Sequence, residues 1–396
     1  MKNTVLSTGL AFFLLAMVLA STTVSVAGET QGFASLGTYG VLGTPQIDGI
    51  PQVTINGTDF VVNGEPYIFR GVNIEFAGLN IHYFGSPLPT LSQSTFDLLK
   101  SWKVNILRIS LHMEAANPQY GVWNEDFFTL LDQLYDYAET HQIYLMIVPI
   151  MSYKVGPKYG GSGHPDWLFE NATGTGQYDS DGPCALLYEA IVNKDPQHWA
   201  VEEAIRQYYQ RIATMSRDRN IVMGYDIYNE PQYRDIPGYS RESATIFYET
   251  LADYITAIDS SKLMAVENNF ISTRKPNIPN LFSSPHTYIT QNAGDTVSII
   301  KNRVIGYNGI GSGNTWQVPV LSGEWWAPLV GDGNPAFTEA TAITQTMNFC
   351  TAFEELGWSW TLIRHLAQIP NLHPLDSVEQ VYFDYFANNQ PIPTSA

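Results

Sequence analysis

A carboxylate follows a run of residues that otherwise predicts a buried strand. In the segment YDIYNEP, residues 225–231, Asn229 and Glu230 come directly after aromatic and aliphatic side chains. A buried charge is unfavourable by several kcal/mol unless it is paired or put to use. Glu230 therefore either marks the point where the strand reaches solvent, with Pro231 ending it, or is a catalytic acid at the mouth of a barrel.

Other predicted strands end on side chains that could work with such an acid. Glu324 follows the strand in LSGEWW. The remaining strand ends carry amides, histidines, aromatic residues, an arginine and further carboxylates: Asn73, Glu75, Arg108, His112, Asn229, Glu267, Asn268, His286, Tyr288, Trp358 and Trp360. The set has no phosphate-binding loop, no Ser-His-Asp order and no metal-ligand spacing. Acidic, aromatic and amide side chains together indicate a site for sugars.

The pattern along the chain predicts a (β/α)8 barrel, in which loops at the carboxyl ends of the strands converge on one pocket. Short apolar runs alternate with segments of helical period. Strands are predicted at 67–74, 104–112, 144–151, 221–228, 263–268, 281–287, 318–323 and 357–363, and helices at 91–102, 124–142, 198–217, 241–259, 338–356 and 376–388. A doubly wound sheet is the alternative, but FRGVNIEFAG is not the Gly-rich phosphate loop that usually follows its first strand.

Two segments depart from this regular pattern. VTINGTDFVVNGEPYIFRGVNI predicts a short β-hairpin before the first barrel strand, because Asn-Gly pairs separate its alternating runs. Residues 152–197, after the third strand, form a long loop, and connections of that length usually have a function. The loop carries several aromatic residues and is predicted to wall the substrate groove and shape sugar specificity: Tyr153, Tyr159, Trp167 and Tyr178.

The chain begins with a segment typical of a secretory signal peptide. Residues 1–27 run from Met1 and Lys2 through an apolar stretch to small residues at 25–27, which a signal peptidase recognises. An uncleaved anchor is the alternative, although the apolar stretch falls short of the ~20 residues that span a bilayer. Residues 28–51 are interpreted as an N-terminal extension and 52–396 as one catalytic domain. The mature protein is therefore expected to be secreted and extracellular.

Charge and cysteine content restrict the possible partners. The net charge of −18 disfavours nucleic acid and anionic membranes, and no membrane association is expected after signal cleavage. Cys184 and Cys350 are too few for a disulfide scaffold and lack the spacing of metal ligands. They could pair after export, and the sequence leaves this open.

Several of these motifs resemble one enzyme family. YDIYNEP, SPHTY and LSGEWW are similar to the fourth, sixth and seventh strand ends of glycoside hydrolase family 5, the cellulase family, in the clan of retaining (β/α)8 glycosidases. VNILRISLH resembles the family's second strand with its arginine, and NGEPYIFRGVN resembles its opening. The resemblance spans about residues 53 to 365, nearly the whole predicted mature chain.

The resemblance implies a catalytic pair. Retaining glycosidases use one carboxyl group to protonate the leaving oxygen and a second to attack the anomeric carbon, about 5–5.5 Å away. Glu230 corresponds to the acid/base and Glu324 to the nucleophile. The two groups need different protonation states at one pH, so their surroundings must separate their pKa values.

Five further residues would bind substrate or support this pair. Arg108 is expected to keep Glu324 ionised, and Tyr288 to hydrogen-bond the same carboxylate. Asn229 would hold the sugar's 2-hydroxyl, and His286 would orient Glu230 or a sugar hydroxyl. Trp360 would offer its face to a pyranose ring. This chemistry requires neither a metal nor an organic cofactor, and none is predicted.

One position departs from the family. The family's third strand commonly ends in a histidine, where this chain has Pro149 and Met151. His112, beyond the second strand, or His164, in the long loop, could occupy that space.

The predicted function is therefore a secreted retaining β-glycosidase acting on a β-linked polysaccharide or oligosaccharide, with an endo-β-1,4-glucanase favoured. An endo-β-1,4-mannanase, an exo-β-glucosidase and a non-catalytic carbohydrate-binding barrel are the alternatives. An acyl hydrolase using Ser322 and His286 is disfavoured because the chain lacks a nucleophile elbow.

Overall fold

The structure is a computed structural model that describes residues 49–76, 82–83, 86–87, 91–151, 163–171, 180, 182–231, 236–289, 292–307, 313–325 and 338–362. All of them belong to one compact unit, Gln46–Ala396. The predicted signal peptide, nearly all of the predicted extension, the predicted helix at 376–388 and the tyrosines 153, 159 and 178 lie outside the described residues.

Eight parallel strands form the centre of the molecule. They are β1 (Arg70–Phe76), β2 (Ile106–Leu111), β3 (Tyr144–Val148), β4 (Val222–Asp226), β5 (Leu263–Val266), β6 (Leu281–Ser283), β7 (Leu321–Trp325) and β8 (Ser359–Leu362). Each pairs with its neighbour in chain order from β1 to β6, and β8 lies between β7 and β1. Single parallel bridges, Ser283 to Val320 and His286 to Glu324, join β6 to β7. The sheet is thus a nearly closed (β/α)8 barrel, as predicted.

The helices cover the outer face of the barrel, so both faces of its strands are buried. This explains why the strand sequences are almost continuously apolar. Two glycines permit the close approach of adjacent strands. A Cβ on Gly71 would lie 1.9 Å from the carbonyl oxygen of Ile106, and one on Gly224 would lie 2.2 Å from that of Leu263. Arg108 of β2 and Asp226 of β4 pair with each other within the barrel.

The described helices are α1 (Gln93–Ser101), α2 (Met113–Ala116), α3 (Glu125–His141), α4 (Pro183–Ile191), α5 (Trp199–Ser216), α6 (Arg241–Thr256), α7 (Val297–Tyr307), α8 (Gly313–Trp316) and α9 (Glu339–Glu355). The side chains of Ser92 and Ser240 accept hydrogen bonds from the third residue of α1 and α6 and so cap these helices. The long connection after β3 is only partly loop. It contains α4, which begins with Pro183 at a favourable first-turn position, and short 3-10 turns at Asp166–Phe169 and Pro196–His198.

A small antiparallel sheet precedes the barrel. The predicted hairpin has a third strand, so that Thr54–Asn56, Asp59–Val62 and Glu65–Tyr67 form a meander. Gly57 and Gly64 adopt the left-handed backbone that its two turns require. Phe60 packs edge-to-face against Phe69, which precedes β1, with a centroid distance of 5.4 Å. A further two-residue ladder joins His82–Tyr83 to Ser86–Pro87.

Cys184 and Cys350 are both buried free thiols in the structure, on α4 and α9. Within the described ranges, no helix has the length and apolar character needed to cross a bilayer.

Candidate active site

The ends of β4, β6 and β7 bring two glutamates together. Glu324 lies in β7, and Glu230 follows β4 by a short turn. Backbone hydrogen bonds hold the end of β6 against β7: Thr287 N donates to the carbonyl of Glu324, and Gly323 N to that of Pro285, at 2.6 and 3.0 Å. Carboxylate oxygens of Glu230 and Glu324 lie within 4.8 Å of each other, with His286 between them.

Glu324 is the more buried of the pair, with 4% of its side chain exposed. Its Oε1 accepts a hydrogen bond from Arg108 Nη1 at 2.8 Å. Its Oε2 accepts one from the hydroxyl of Tyr288 and lies 3.2 Å from His286 Nδ1. Burial and the charge of Glu324 raise the pKa of Tyr288, so its hydroxyl stays protonated and continues to donate.

Glu230 is more accessible, with 25% of its side chain exposed. Its φ of 46° lies in the left-handed region, which residues other than glycine rarely adopt. His286 Nδ1 lies 2.8 Å from Glu230 Oε1. Burial raises the pKa of Glu230, but the hydrogen bond and charge of His286 and the charge of Arg108 outweigh it and lower the pKa below its usual value.

Arg108 connects the pair to the barrel interior. Its Nε donates to Asp226 Oδ2, its Nη1 to Asn73 Oδ1 and its Nη2 to Asn229 Oδ1, each at 2.9 Å. Burial by itself lowers the pKa of Arg108, but the charges of Asp226, Glu324 and Glu267 raise it above its usual value. Arg108 is therefore a permanent buried cation that fixes four side chains at once.

His286 faces carboxylates on both sides of its ring. Nδ1 points to Glu230 and Glu324, and Nε2 lies 3.1 Å from Glu267 Oε1. Burial lowers the pKa of His286, but the charges of Glu267 and Glu324 and hydrogen bonds to Glu230 and Glu267 raise it well above its usual value. The ring is thus held as a cation between the two glutamates.

Glu267 completes this layer of the site. It directly follows β5 and has no exposed surface. Burial raises the pKa of Glu267 to about 8, with opposing effects from the charge and hydrogen bond of His286 and further raising by Asp226 and Glu230. The pKa of Glu267 thus lies above that of Glu230, so that Glu230 is the first of the two to ionise as the pH rises.

Two sets of side chains here are compact enough to surround a cation: Asp226, Glu267 and His286, and Glu230, His286 and Glu324. Both sets share His286, and Arg108 already contacts Asp226 and Glu324. The positive charge of Arg108 and His286 balances these carboxylates. The arrangement is suited to moving protons between neighbouring groups and to presenting one ionised carboxylate.

Six of the seven predicted site residues meet in this arrangement, namely Arg108, Asn229, Glu230, His286, Tyr288 and Glu324. Trp360 does not, and its assignment to a sugar-stacking role was wrong. Its indole is fully buried, stacks on Phe353 of α9 at 5.6 Å and lies beneath the guanidinium of Arg70. Side chains alternate along a strand, so Trp360 shares the outward face of β8 with Trp358.

Asp226 and Ser284 belong to the site but are not among the residues predicted from the sequence. Asp226 binds Arg108, and Ser284 Oγ donates to Asp226 Oδ2 at 3.0 Å. One signal was present: Asp226 and Arg108 are charges within otherwise buried strands, and such charges need opposite partners. Glu267 also belongs to the site, although from the sequence it is only one of several carboxylates at predicted strand ends.

The two histidines considered as replacements for the missing strand-3 histidine are both buried. His112 precedes α2, and its Nδ1 lies 3.7 Å from Glu114 Oε1. His164 Nε2 lies 3.3 Å from the hydroxyl of Tyr228. Burial, with a contribution from the charge of His112, lowers the pKa of His164 to about 3, so this ring is neutral.

The chain is similar to known glycosidases. The family model described as Cellulase (glycosyl hydrolase family 5) matches residues 63–362. Among solved structures, an endogalactoceramidase is 17% identical over 85% of each chain, with a TM-score of 0.62. Endo-glycoceramidase II from Rhodococcus sp. is 15% identical over 76% of this chain and 74% of its own, with a TM-score of 0.59. A β-glucanase from Saccharophagus degradans, in complex with cellotetraose, is 17% identical over 88% of this chain and 98% of its own, with a TM-score of 0.57. Among curated proteins, none matches the chain.

Two glutamates close together at the carboxyl ends of barrel strands are the arrangement that retaining glycosidases use. Because the family model covers most of the chain, the protein belongs to glycosyl hydrolase family 5. The solved structures, all below 25% identity, show the shared fold alone.

Proposed function

We propose that the protein hydrolyses a β-linked glucan with retention of configuration, with Glu324 as nucleophile and Glu230 as acid/base. The observation that carries this proposal is the approach of their carboxylate oxygens to within 4.8 Å. Retaining enzymes place these groups about 5–5.5 Å apart, whereas inverting enzymes need about 6.5–9.5 Å to admit a water molecule.

The surroundings of each carboxyl group support this division of roles. Glu324 is buried, and its two carboxylate oxygens accept hydrogen bonds from Arg108 and Tyr288, which hold the group in place for attack on the anomeric carbon. Glu230 is the more exposed, which favours contact with the leaving group and then with water. In the first step Glu324 Oε bonds to C1, the C1–oxygen bond breaks, and the proton of Glu230 passes to the leaving oxygen. In the second, water gives its proton to Glu230 and displaces Glu324.

Asn229 is suited to hold the 2-hydroxyl of the reacting sugar. Arg108 Nη2 donates to Asn229 Oδ1, which turns the amide oxygen inward and the amide nitrogen away from the guanidinium. The amide can then donate to a sugar hydroxyl beside Glu324. Such a contact strengthens as positive charge develops on the ring, so it would contribute mainly to the rate of bond cleavage.

A β-1,4-glucan is the favoured substrate. The description of the matched family and the cellotetraose complex of the similar β-glucanase both support it. A β-glucoside headgroup on a glycolipid is the second candidate, because an endogalactoceramidase and an endo-glycoceramidase have similar folds over most of the chain. We further propose export, with removal of residues 1–27 and a catalytic domain at 52–396, which amino-terminal sequencing of secreted protein would test.

The test is sugar release from soluble β-1,4-glucan, mannan, xylan and lactosylceramide micelles, at pH 5 and 7. Wild-type protein is compared with Glu324→Gln and with Glu355→Gln, an exposed acid that pairs with Lys301 on the surface. We expect release from the glucan by the wild type and Glu355→Gln but not by Glu324→Gln. Release from lactosylceramide alone would select the second candidate. No release from any substrate by folded protein that still binds cellotetraose would support a non-catalytic barrel instead.

A further inference from the structure

Glu267 touches both groups that control the predicted acid/base. Its Oε1 accepts a hydrogen bond from the backbone N–H of Glu230 at 3.0 Å and lies 3.1 Å from His286 Nε2. Arg108 Nη2 lies 3.8 Å from the same oxygen. A fully buried carboxyl group is costly unless its contacts offset the cost, and here Oε1 contacts Glu230, His286 and Arg108.

Its contact with Glu230 acts on the backbone. The left-handed φ of Glu230 is unfavourable for a residue with a side chain. A hydrogen bond to a buried acceptor offsets part of this cost and fixes the direction in which the Glu230 side chain leaves the chain. Loss of the acceptor would leave a partly buried N–H without this contact and let the turn relax.

Its contact with His286 acts on the imidazole ring. With Oε1 as the acceptor, Nε2 keeps its hydrogen, and Nδ1 is the nitrogen that faces Glu230. When Glu230 is a carboxylate, Nδ1–H can donate to it, and when Glu230 is protonated, a neutral Nδ1 can accept from it. The proton can therefore move between Glu230 Oε1 and His286 Nδ1 without rotation of the ring.

From these contacts we infer that Glu267 is a positioning residue for general-acid catalysis, acting on Glu230 through its main chain and through His286. The inference rests on the proposed roles of Glu230 and Glu324. A proton on Glu267 fits this role. Its Oε2 has no hydrogen-bond partner among the described residues and can carry the proton, while Oε1 stays available to the N–H donors.

Aryl β-cellobiosides provide a test specific to the acid. A dinitrophenyl leaving group departs without protonation, whereas a phenyl leaving group needs it. The ratio of kcat/KM for the two substrates therefore reports acid catalysis and is insensitive to the fraction of folded enzyme. Glu267→Met removes the acceptor at similar volume, and Glu267→Gln keeps an acceptor oxygen. Glu354→Gln changes a buried carboxyl group that pairs with Arg70 outside the site.

We expect Glu267→Met to lower kcat/KM on the order of 10²-fold for the phenyl substrate and much less for the dinitrophenyl substrate. The ratio of kcat/KM for the dinitrophenyl substrate to that for the phenyl substrate should therefore rise at least tenfold. Glu267→Gln should show a smaller rise, and Glu354→Gln none. Equal losses on both substrates in Glu267→Met would overturn the inference and leave Glu267 a structural residue. If wild-type protein cleaves neither substrate, or if Glu324→Gln remains as active as wild type, the proposed function itself fails.

Discussion

Arg108 Nη1 and Glu324 Oε1 lie 2.8 Å apart, and almost no surface of either side chain reaches solvent. Their contact is one corner of a network, because the same guanidinium also binds Asn73, Asp226 and Asn229. A planar group with five N–H donors can hold these partners together, and a single ammonium cannot. The position of the candidate nucleophile on β7 therefore depends on a residue of β2, from which it is separated by β1 and β8.

Replacement of Arg108 should cost both stability and activity. In Arg108→Met the buried carboxylates lose their partner, so we expect about 3–5 kcal/mol less stability, with activity lost even in folded protein. Arg108→Lys should fall between this variant and wild type. The control is Arg70→Met, which breaks the buried pair with Glu354 outside the site. It should be destabilised while keeping its kcat. Denaturant unfolding and kcat would be measured together, and loss of kcat in Arg70→Met but not in Arg108→Met would contradict the account.

His286 should set the pH range of activity. Its positive charge lowers the pKa of Glu230, so the acid form of Glu230 is confined to acidic pH in the free enzyme. His286→Asn removes the cation, the carboxylate loses stabilisation and the pKa of Glu230 rises. The basic limb of the kcat/KM profile should then move to higher pH while the maximum rate falls. An unchanged limb, or one displaced to lower pH, would show that His286 does not act on Glu230 by charge.

Glu267 should make stability depend on pH. Its pKa is about 8 in the folded protein against an ordinary value of 4.5. Between these values the folded state holds a proton that the unfolded state has lost, so wild-type stability falls as pH rises. Glu267→Gln lacks this proton, and its stability relative to wild type should grow between pH 5 and 8 by up to a few kcal/mol. Denaturation curves at both pH values measure the effect. Parallel changes in the two proteins would contradict it.

Gly323 lies where the site leaves no room for a side chain. A Cβ there would lie 2.3 Å from Ser284 Oγ, which donates to Asp226. Gly323→Ala should displace this hydroxyl, weaken the support of Arg108 and lower kcat/KM. Because the obstacle is one small side chain, Ser284→Ala in the same molecule should recover part of the loss in kcat/KM. The effects of the two substitutions on the activation free energy should then differ from additivity by about 1 kcal/mol. Strictly additive effects would exclude this explanation. Gly224→Ala, which meets a backbone carbonyl, should have no such rescue.

The fold followed from the sequence because its signals are local. All eight strands lie at the predicted places, and five predicted helices match α1, α3, α5, α6 and α9. Strand ends were less predictable. The run predicted as strand at 281–287 ends at Ser283, beyond which the chain turns to place His286 beside β7. α7 was missed because VSIIKNRVIGY has no clear apolar stripe.

The site was predictable only where a motif gave each residue its place. Trp360 was assigned by resemblance, although the parity of its strand puts it with Trp358 on the outer face. Glu267 stood among the candidate carboxylates, but its role depends on distances to Glu230 and His286 that no local pattern encodes. Contacts between residues that are distant in the chain depend on how the barrel closes. A local sequence pattern does not predict them for individual residues.

Trapping the covalent intermediate tests the account most directly. Wild-type protein would be incubated with a dinitrophenyl 2-deoxy-2-fluoro-β-cellobioside, in which the fluorine slows both steps and the leaving group favours the first. The account predicts a mass increase of one fluorocellobiosyl group, found by peptide mass spectrometry on Glu324. It also predicts that Glu230→Ala can still be labelled and that Glu324→Gln cannot. A label on another residue, or α-configured first product from an unlabelled enzyme, would contradict the assignment of Glu324 as nucleophile in a retaining mechanism.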